Sequence, residues 1–290
     1  MQNTNNLNDT KMAIKNEQDG DNLLQKKFYF FGNKYEDAII KYQLAANIYK
    51  YNKLWMNAAK IFIKIADCYK QLFNVYDIIL ALTDAYKCYK QYDPLAAIPI
   101  ILQIIEYHTK NCNFSKMISL YEDIVQIYEV ANNFSQSYIY YKKIIDVCEY
   151  DNEFNKIKAR YNIKIADYLI TIDSFNEASI LYENVANYYV KDKFLKYCAQ
   201  ELFLNAGLCL LSADDMVSTK RFIDRWRNYD LDSRDNREYK FMENIISCYE
   251  KNNIDTFVLI IKEYESVNKL NNLKINLLTK IKTNLSEILF

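Results

Sequence analysis

Glycine and proline are nearly missing from this chain. Its 290 residues hold three glycines (Gly20, Gly32, Gly207) and two prolines (Pro94, Pro99). Sheet and α/β folds need many more of these residues at their turns, so the scarcity favours long helices joined by short Asn/Asp/Lys turns. There is one histidine, His108, and no glycine-rich phosphate loop. Acids and bases balance at 37 each, which gives no support to a nucleic-acid partner but leaves room for a local basic face. The longest apolar stretch, Leu95 to Ile105, is interrupted by Pro99 and Gln103 and is too short to cross a bilayer. No apolar signal segment opens the chain. Seven cysteines (68, 88, 112, 148, 198, 209 and 248) form no C-x-x-C pair and no cluster with zinc-ligand spacing. They read as small core residues in a reducing, cytoplasmic compartment. No metal or cofactor is expected and no enzymatic constellation is visible. His108 reads as structural or surface, and Asp214-Asp215 as a solvated helix end.

What is abundant is helical periodicity. Ala178, Leu181, Tyr182, Val185 and Tyr189 fall on one face, as do Ala58, Phe62, Ala66 and Tyr69. Ser174-Phe175-Asn176-Glu177 reads as a capping box. The pairs Asn113-Phe114, Asn133-Phe134, Glu153-Phe154 and Ser174-Phe175 recur at a spacing of 20, 20 and 21 residues. One such unit fits a four-turn helix plus a short loop, and two make a helical hairpin. Alanines recur where helices must approach closely, and tyrosines near helix ends. The strict 34-residue tetratricopeptide consensus is not met.

These signals predict an all-α, right-handed α/α solenoid of tetratricopeptide-like hairpins with a C-terminal helical bundle. Residues 1–22, polar and rich in asparagine, read as a flexible segment with at most one weak helix between Thr10 and Lys27. Residues 23–190 form the stacked hairpins, 191–285 the bundle and 286–290 a tail. In the bundle the pattern predicts helices over 194–211, 216–228, 237–251, 255–267 and 273–285.

Three features stand apart. Four consecutive aromatics, Phe28, Tyr29, Phe30 and Phe31, follow Lys26-Lys27 and fit no helical stripe. They serve either as a staple under the first hairpin or as a loop dipping into a membrane interface. Basic residues recur along the stack at Lys90, Arg160, Lys164, Lys196 and Arg237. Each could be a solvated surface charge; as a set they could receive an acidic rod. The tail Ser286-Glu287-Ile288-Leu289-Phe290 ends apolar and either packs back or enters a partner.

An ordered series of segments resembles the alpha-type soluble NSF attachment proteins. It runs through Ala45-Ala46-Asn47-Ile48-Tyr49-Lys50, Lys53-Leu54-Trp55 and Asp84-Ala85-Tyr86-Lys87 to Asp93-Pro94-Leu95-Ala96-Ala97-Ile98. It continues through Lys164-Ile165-Ala166-Asp167-Tyr168, Leu195-Lys196-Tyr197-Cys198-Ala199, Arg237-Glu238-Tyr239-Lys240-Phe241-Met242 and Lys262-Glu263-Tyr264-Glu265-Ser266. The resemblance implies a non-enzymatic adaptor that binds assembled SNARE four-helix bundles. It further implies recruitment of an NSF-type AAA+ ATPase that pulls those bundles apart during vesicle fusion and intracellular transport. The family's SNARE-contacting basic positions fall at or beside Lys90, Arg160, Lys164, Lys196 and Arg237. Ser119 stands where a lysine is expected, with Lys116 one turn earlier. Phe28 to Phe31 match its membrane-touching loop, so the chain is expected to be cytoplasmic and peripherally associated with membranes. Asp215, Glu250 and Leu289 match ATPase-facing positions, whereas Ser247 and Lys251 stand where acids are expected. The competing reading is a tetratricopeptide-like scaffold for another protein partner.

Overall fold

The computed structural model describes residues 2–28, 32–229 and 236–287, with side chains from residue 8 onward. Among the described residues there are fourteen α-helices and no strand. They are α1 Gln2–Gln25, α2 Lys34–Tyr51, α3 Trp55–Gln71, α4 Val75–Tyr92, α5 Pro94–Lys110, α6 Phe114–Val130 and α7 Phe134–Cys148. There follow α8 Asn155–Thr171, α9 Phe175–Val190, α10 Lys196–Ser212, α11 Met216–Tyr229, α12 Arg237–Glu250, α13 Ile254–Val267 and α14 Asn272–Glu287. The last five lie within two residues of the helices read from periodicity. None of the described helices is long and apolar enough to cross a membrane.

The turns explain how helices reverse without glycine. Among the described residues, seven other than glycine have positive φ: Lys53, Phe73, Cys112, Asn132, Asp173, Asp214 and Asn252. Each immediately precedes the residue that opens the next helix. That opening residue is often Asn or Asp, and its side chain accepts a backbone N–H one turn on. Asn74 takes the amide of Asp77, Asn113 that of Lys116, Asn133 that of Gln136, Asp215 that of Ser218 and Asn253 that of Thr256. Ser174, expected to cap α9, makes no such bond. There the start is fixed by Phe175, which is buried, so packing replaces the cap.

The chain divides into two compact units, residues 1–140 and 141–290. In the first, each helix from α1 to α6 packs on the next. The N-terminal segment differs from the flexible one expected. It is helix α1, seated on α2 with Gly20 against the Tyr42 ring, where a Cβ would stand 2.6 Å from Cε1. Charge holds it: Lys64 Nζ lies 2.9 Å from Glu17 and 2.8 Å from Asp21. The Tyr42 hydroxyl donates to Asp21 at 2.7 Å and that of Tyr49 to Glu17 at 3.3 Å. A segment too polar to bury a wide apolar face is thus ordered by specific ion pairing.

Burial alone would raise the pKa of Asp21, but hydrogen bonds from Lys64 and Tyr42 outweigh it and hold the pKa below its ordinary value of 3.8. A folded-state pKa below the unfolded one means that the contribution is present above that ordinary value. It is lost as pH falls through the folded value. Lys64→Met should loosen α1, speeding amide exchange over residues 8–25 roughly five- to tenfold at neutral pH. The difference from the unaltered chain should shrink as pH falls and Asp21 is protonated, leaving Lys64 only Glu17.

In the second unit α8 packs on α9 and α9 on α10, and α10 also touches α11, α12 and α14. α10 is therefore buried nearly all round from Ala199 to Ser212. Around it sits an aromatic core. The Trp226 ring stacks on Phe203 at 5.3 Å and meets the edge of Tyr239 at 5.2 Å, while its Nε1–H donates to Gln200 at 3.1 Å. The cysteines follow the small-core expectation at 68, 88, 148, 209 and 248, but Cys112 and Cys198 are exposed. Cys112 occupies a left-handed turn position, and Cys198 lies in the first turn of α10.

Candidate functional site

The basic residues singled out in the sequence meet different fates. In the first unit Lys90, in the last turn of α4, is tied down. Its Nζ lies 2.8 Å from Asp123 Oδ1 and 3.1 Å from Gln126 Oε1, and the Tyr86 hydroxyl approaches the same carboxylate at 3.4 Å. Burial and that carboxylate push the Tyr86 phenol up to about 12. Lys90 therefore braces α4 against α6 and has little charge left to offer outward. Lys116, in the first turn of α6, is exposed, as is Ser119 one turn on. Burial, with Lys116 nearby, lowers the pKa of His108.

In the second unit Arg160 and Lys164 lie one turn apart on α8 and share one aromatic neighbour. The Arg160 guanidinium stands 5.0 Å from the Tyr161 ring centroid. Lys164 Nζ stands 5.7 Å from the same ring and 5.4 Å from that of Tyr141. The two rings pack at 5.6 Å, and both tyrosines are buried. Cations held over buried rings keep their charge, lose side-chain freedom and project from a fixed base. Arg237 opens α12, is exposed, and donates from Nη1 to Asn268 Oδ1 at 2.9 Å. Lys196 opens α10 and is half-buried.

Behind this face lies a buried polar link. The Tyr182 hydroxyl donates to Asp167 between α9 and α8. Burial raises the pKa of both groups. The same tyrosine-to-acid pairing recurs where Tyr249 donates to Asp214. A tyrosine on one helix thus satisfies an acid on a neighbouring element, a use of tyrosine that its position near helix ends did not disclose.

Of the residues expected to face an ATPase, Asp215 is occupied as the cap of α11. Its Oδ1 accepts the Ser218 amide at 2.8 Å, and that bond holds its carboxyl below the ordinary range. Glu250 is paired with Lys220 across α11 and α12. Around this pair is a cleft of about 390 Å³ that also takes in Asp224, Glu243 and Ser247. Leu289 lies outside the described residues, as do Tyr29, Phe30 and Phe31. Phe28 is described and is 78 % exposed. The structure thus brings together Arg160 and Lys164, and places Glu250 beside two further acids. Lys90 pairs with Asp123, and Asp215 caps α11. Lys220, Asp224 and Glu243 line the same cleft as Glu250, a grouping that local spacing does not show because they lie on two helices.

Among the described residues no group of histidine, cysteine or acidic side chains is placed to hold a metal ion. The family model and the curated relatives point to the same family. The family model described as "Soluble NSF attachment protein, SNAP" matches residues 11–286. The chain is 29% identical to the alpha-soluble NSF attachment protein of Vitis vinifera over 252 residues, covering 87% of each. It is 28% identical to that of Homo sapiens, covering 86% of this chain and 84% of the relative. Its identity to the vesicular-fusion protein SEC17 of Komagataella phaffii is 23%, over 88% of this chain and 86% of the relative. A match along almost the whole length of an all-helical chain leaves one assignment: this protein belongs to the soluble NSF attachment protein family.

Proposed function

We propose that this chain is a non-enzymatic adaptor that grips assembled SNARE four-helix bundles and recruits an NSF-type AAA+ ATPase for their disassembly. The observation that carries the grip is the pair Arg160 and Lys164, two cations on one helix face held over the rings of Tyr141 and Tyr161. A rigid basic ridge suits the acidic flank of a helical bundle, because complementary charge speeds encounter and fixes register. Lys116, Lys196 and Arg237 supply further basic contacts. Lys90 contributes by stiffening α4 against α6 through Asp123.

The ATPase contact falls to the α11–α12 cleft with Glu250, supported by Asp224 and Glu243, and to the tail with Leu289. Acids at 224 and 243 offset the serine and lysine at 247 and 251. The aromatic segment 28–31 touches the membrane on which the SNAREs sit. Four partly inserted aromatics give only a few kcal/mol, roughly, so this contact assists a complex already at the membrane. The chain accordingly works in the cytoplasm as a peripheral membrane protein.

The test mixes the purified chain with an assembled SNARE bundle and the ATPase. A ternary complex should sediment when hydrolysis is blocked, and the bundle should come apart when ATP is hydrolysed. Failure to form that complex would sink the reading.

A further inference from the structure

Of the seven left-handed turn positions among the described residues, Lys53, Phe73 and Cys112 are not Asn or Asp, and Phe73 is the one aromatic among them. At the left-handed position Asn132, Asp173, Asp214 and Asn252 carry short polar side chains that tolerate positive φ. Phe73 holds the same conformation with φ 54. A bulky aromatic there is strained, and no core contact offsets the strain, because Phe73 is 90 % exposed. Beyond it Val75, Tyr76 and Leu80 are exposed as well. Tyr76 and Leu80 are four residues apart on α4 and share a face. A strained, protruding aromatic followed by an apolar stripe is a feature that folding does not account for.

Its place in the first unit is fixed by helix register. α2 and α3 run antiparallel through the short turn around Lys53, and Lys64 Nζ stands 5.5 Å from the Tyr42 ring. Positions 42 and 64 are equally far from 53 (53 − 42 = 64 − 53), so they are level along the pair. By the same count Asn33 is level with Phe73 (53 − 33 = 73 − 53). The turn before α4 and the segment before α2 therefore lie at the same end of this unit. That segment carries Phe28, also exposed, behind Lys26 and Lys27. Lys70 lies just before Phe73; its side chain is 40% exposed and pairs with Asp67 at 2.9 Å, at the surface.

We propose that Phe73 and Tyr76 form a second contact with a phospholipid bilayer, beside the one at Phe28, so that this end of the unit rests on the lipid surface at two points. The proposal rests on the reading that the aromatic segment touches a membrane. Phenylalanine and tyrosine flanked by lysine suit the zone between headgroups and acyl chains, where rings are half-buried and cations meet anionic lipid. A bilayer accepts side chains projecting from helix ends without a shaped counterpart. Leu80, seven residues along α4, lies roughly 10 Å behind Phe73, near the limit of the depth that interfacial segments reach. Two separated points also fix the tilt of the unit on the membrane, which a single loop leaves free.

The experiment is flotation with vesicles of phosphatidylcholine and phosphatidylserine, using the full chain at millimolar lipid. It compares the unaltered protein with Phe73→Asn/Tyr76→Ser, with Phe28→Ser and with all three changes together. The pair at 73 and 76 should lower the partition coefficient about tenfold, and the triple variant further still. Asparagine suits the left-handed position, so Phe73→Asn alone should raise the unfolding midpoint while lowering lipid binding. A merely structural role would lower the midpoint and leave lipid binding unchanged. The proposal is overturned if the 73/76 variant floats like the unaltered chain, or if the unaltered chain does not partition at all. It is also overturned if this variant instead loses affinity for a lipid-free SNARE bundle, which would make the turn a protein contact. If Phe28→Ser floats normally while the 73/76 variant does not, the turn is the lipid contact and the reading of the aromatic segment fails. SNARE binding without lipid tests the adaptor reading separately.

Discussion

Trp226→Ala is expected to destabilise the second unit by about 3–5 kcal/mol, the largest effect of any single change considered. Trp226 is 0% exposed and joins three helices: its own α11, α10 through Phe203 and Gln200, and α12 through Tyr239. Truncation removes the ring from both aromatic contacts and leaves a cavity that α10, packed on several helices, cannot easily close. It also removes the indole N–H that donates to the buried Gln200 Oε1, which adds a lost hydrogen bond to the apolar cost. Trp226→Phe separates the two parts. It keeps most of the stacking and loses the hydrogen bond, so it should cost about 1–3 kcal/mol. Urea unfolding followed by circular dichroism measures both. A loss below 1 kcal/mol for the alanine variant would show that this cluster is not the keystone of the unit.

Arg160→Glu/Lys164→Glu should weaken binding to an assembled SNARE bundle by tenfold or more, about 1.4 kcal/mol at least. The reversal replaces two attractive cations with two repulsive anions on one helix face, above rings that no longer favour the charge placed there. The slope of affinity against salt should flatten, because fewer opposite charges remain to be screened. The fold should survive, since Arg160 is exposed, Lys164 is half-buried, and Tyr161 and Tyr141 keep their mutual packing. Equal thermal unfolding of variant and parent, together with unchanged affinity and salt slope, would remove the basic ridge of α8 from the proposed interface.

The helices were legible in the sequence because each carries its own signal. An apolar stripe sets the face, and an Asn or Asp next to the turn marks the start, as at Asn113, Asn133 and Asn253. The 20-residue spacing of the turn phenylalanines was real, but the pattern hid different roles. Phe175 is buried, Phe134 is 53% exposed, and Phe154 closes a short 3-10 turn before α8. The sequence was weakest where an interaction is non-local. α1 is polar, and only Lys64, from a helix forty residues on, reveals why it packs. Asp215 and Glu250 read as outward acids, yet one caps a helix and the other pairs with Lys220. Lys90 likewise read as a cation awaiting a partner, and the fold supplies that partner as Asp123. Charge type was visible at these positions, whereas the neighbour that uses the charge was not.

The near absence of glycine also shapes the unfolded chain. A turn built on glycine leaves a flexible joint that must be frozen during folding. Replacing glycine by another residue reduces that loss by roughly 0.4–1 kcal/mol per site, while the left-handed conformation costs about 1–2 kcal/mol. At the turns the strain outweighs the saving by up to about 1 kcal/mol per site, and least where Asn or Asp occupies the position. The pathway is affected as well. Each turn is encoded within a few residues, and in the first unit each helix from α1 to α6 packs on its sequence neighbour. Such contacts close short loops, which favours rapid folding hairpin by hairpin over a search for distant partners. The second unit, where α10 must receive α14 from far along the chain, should be the slower of the two to consolidate.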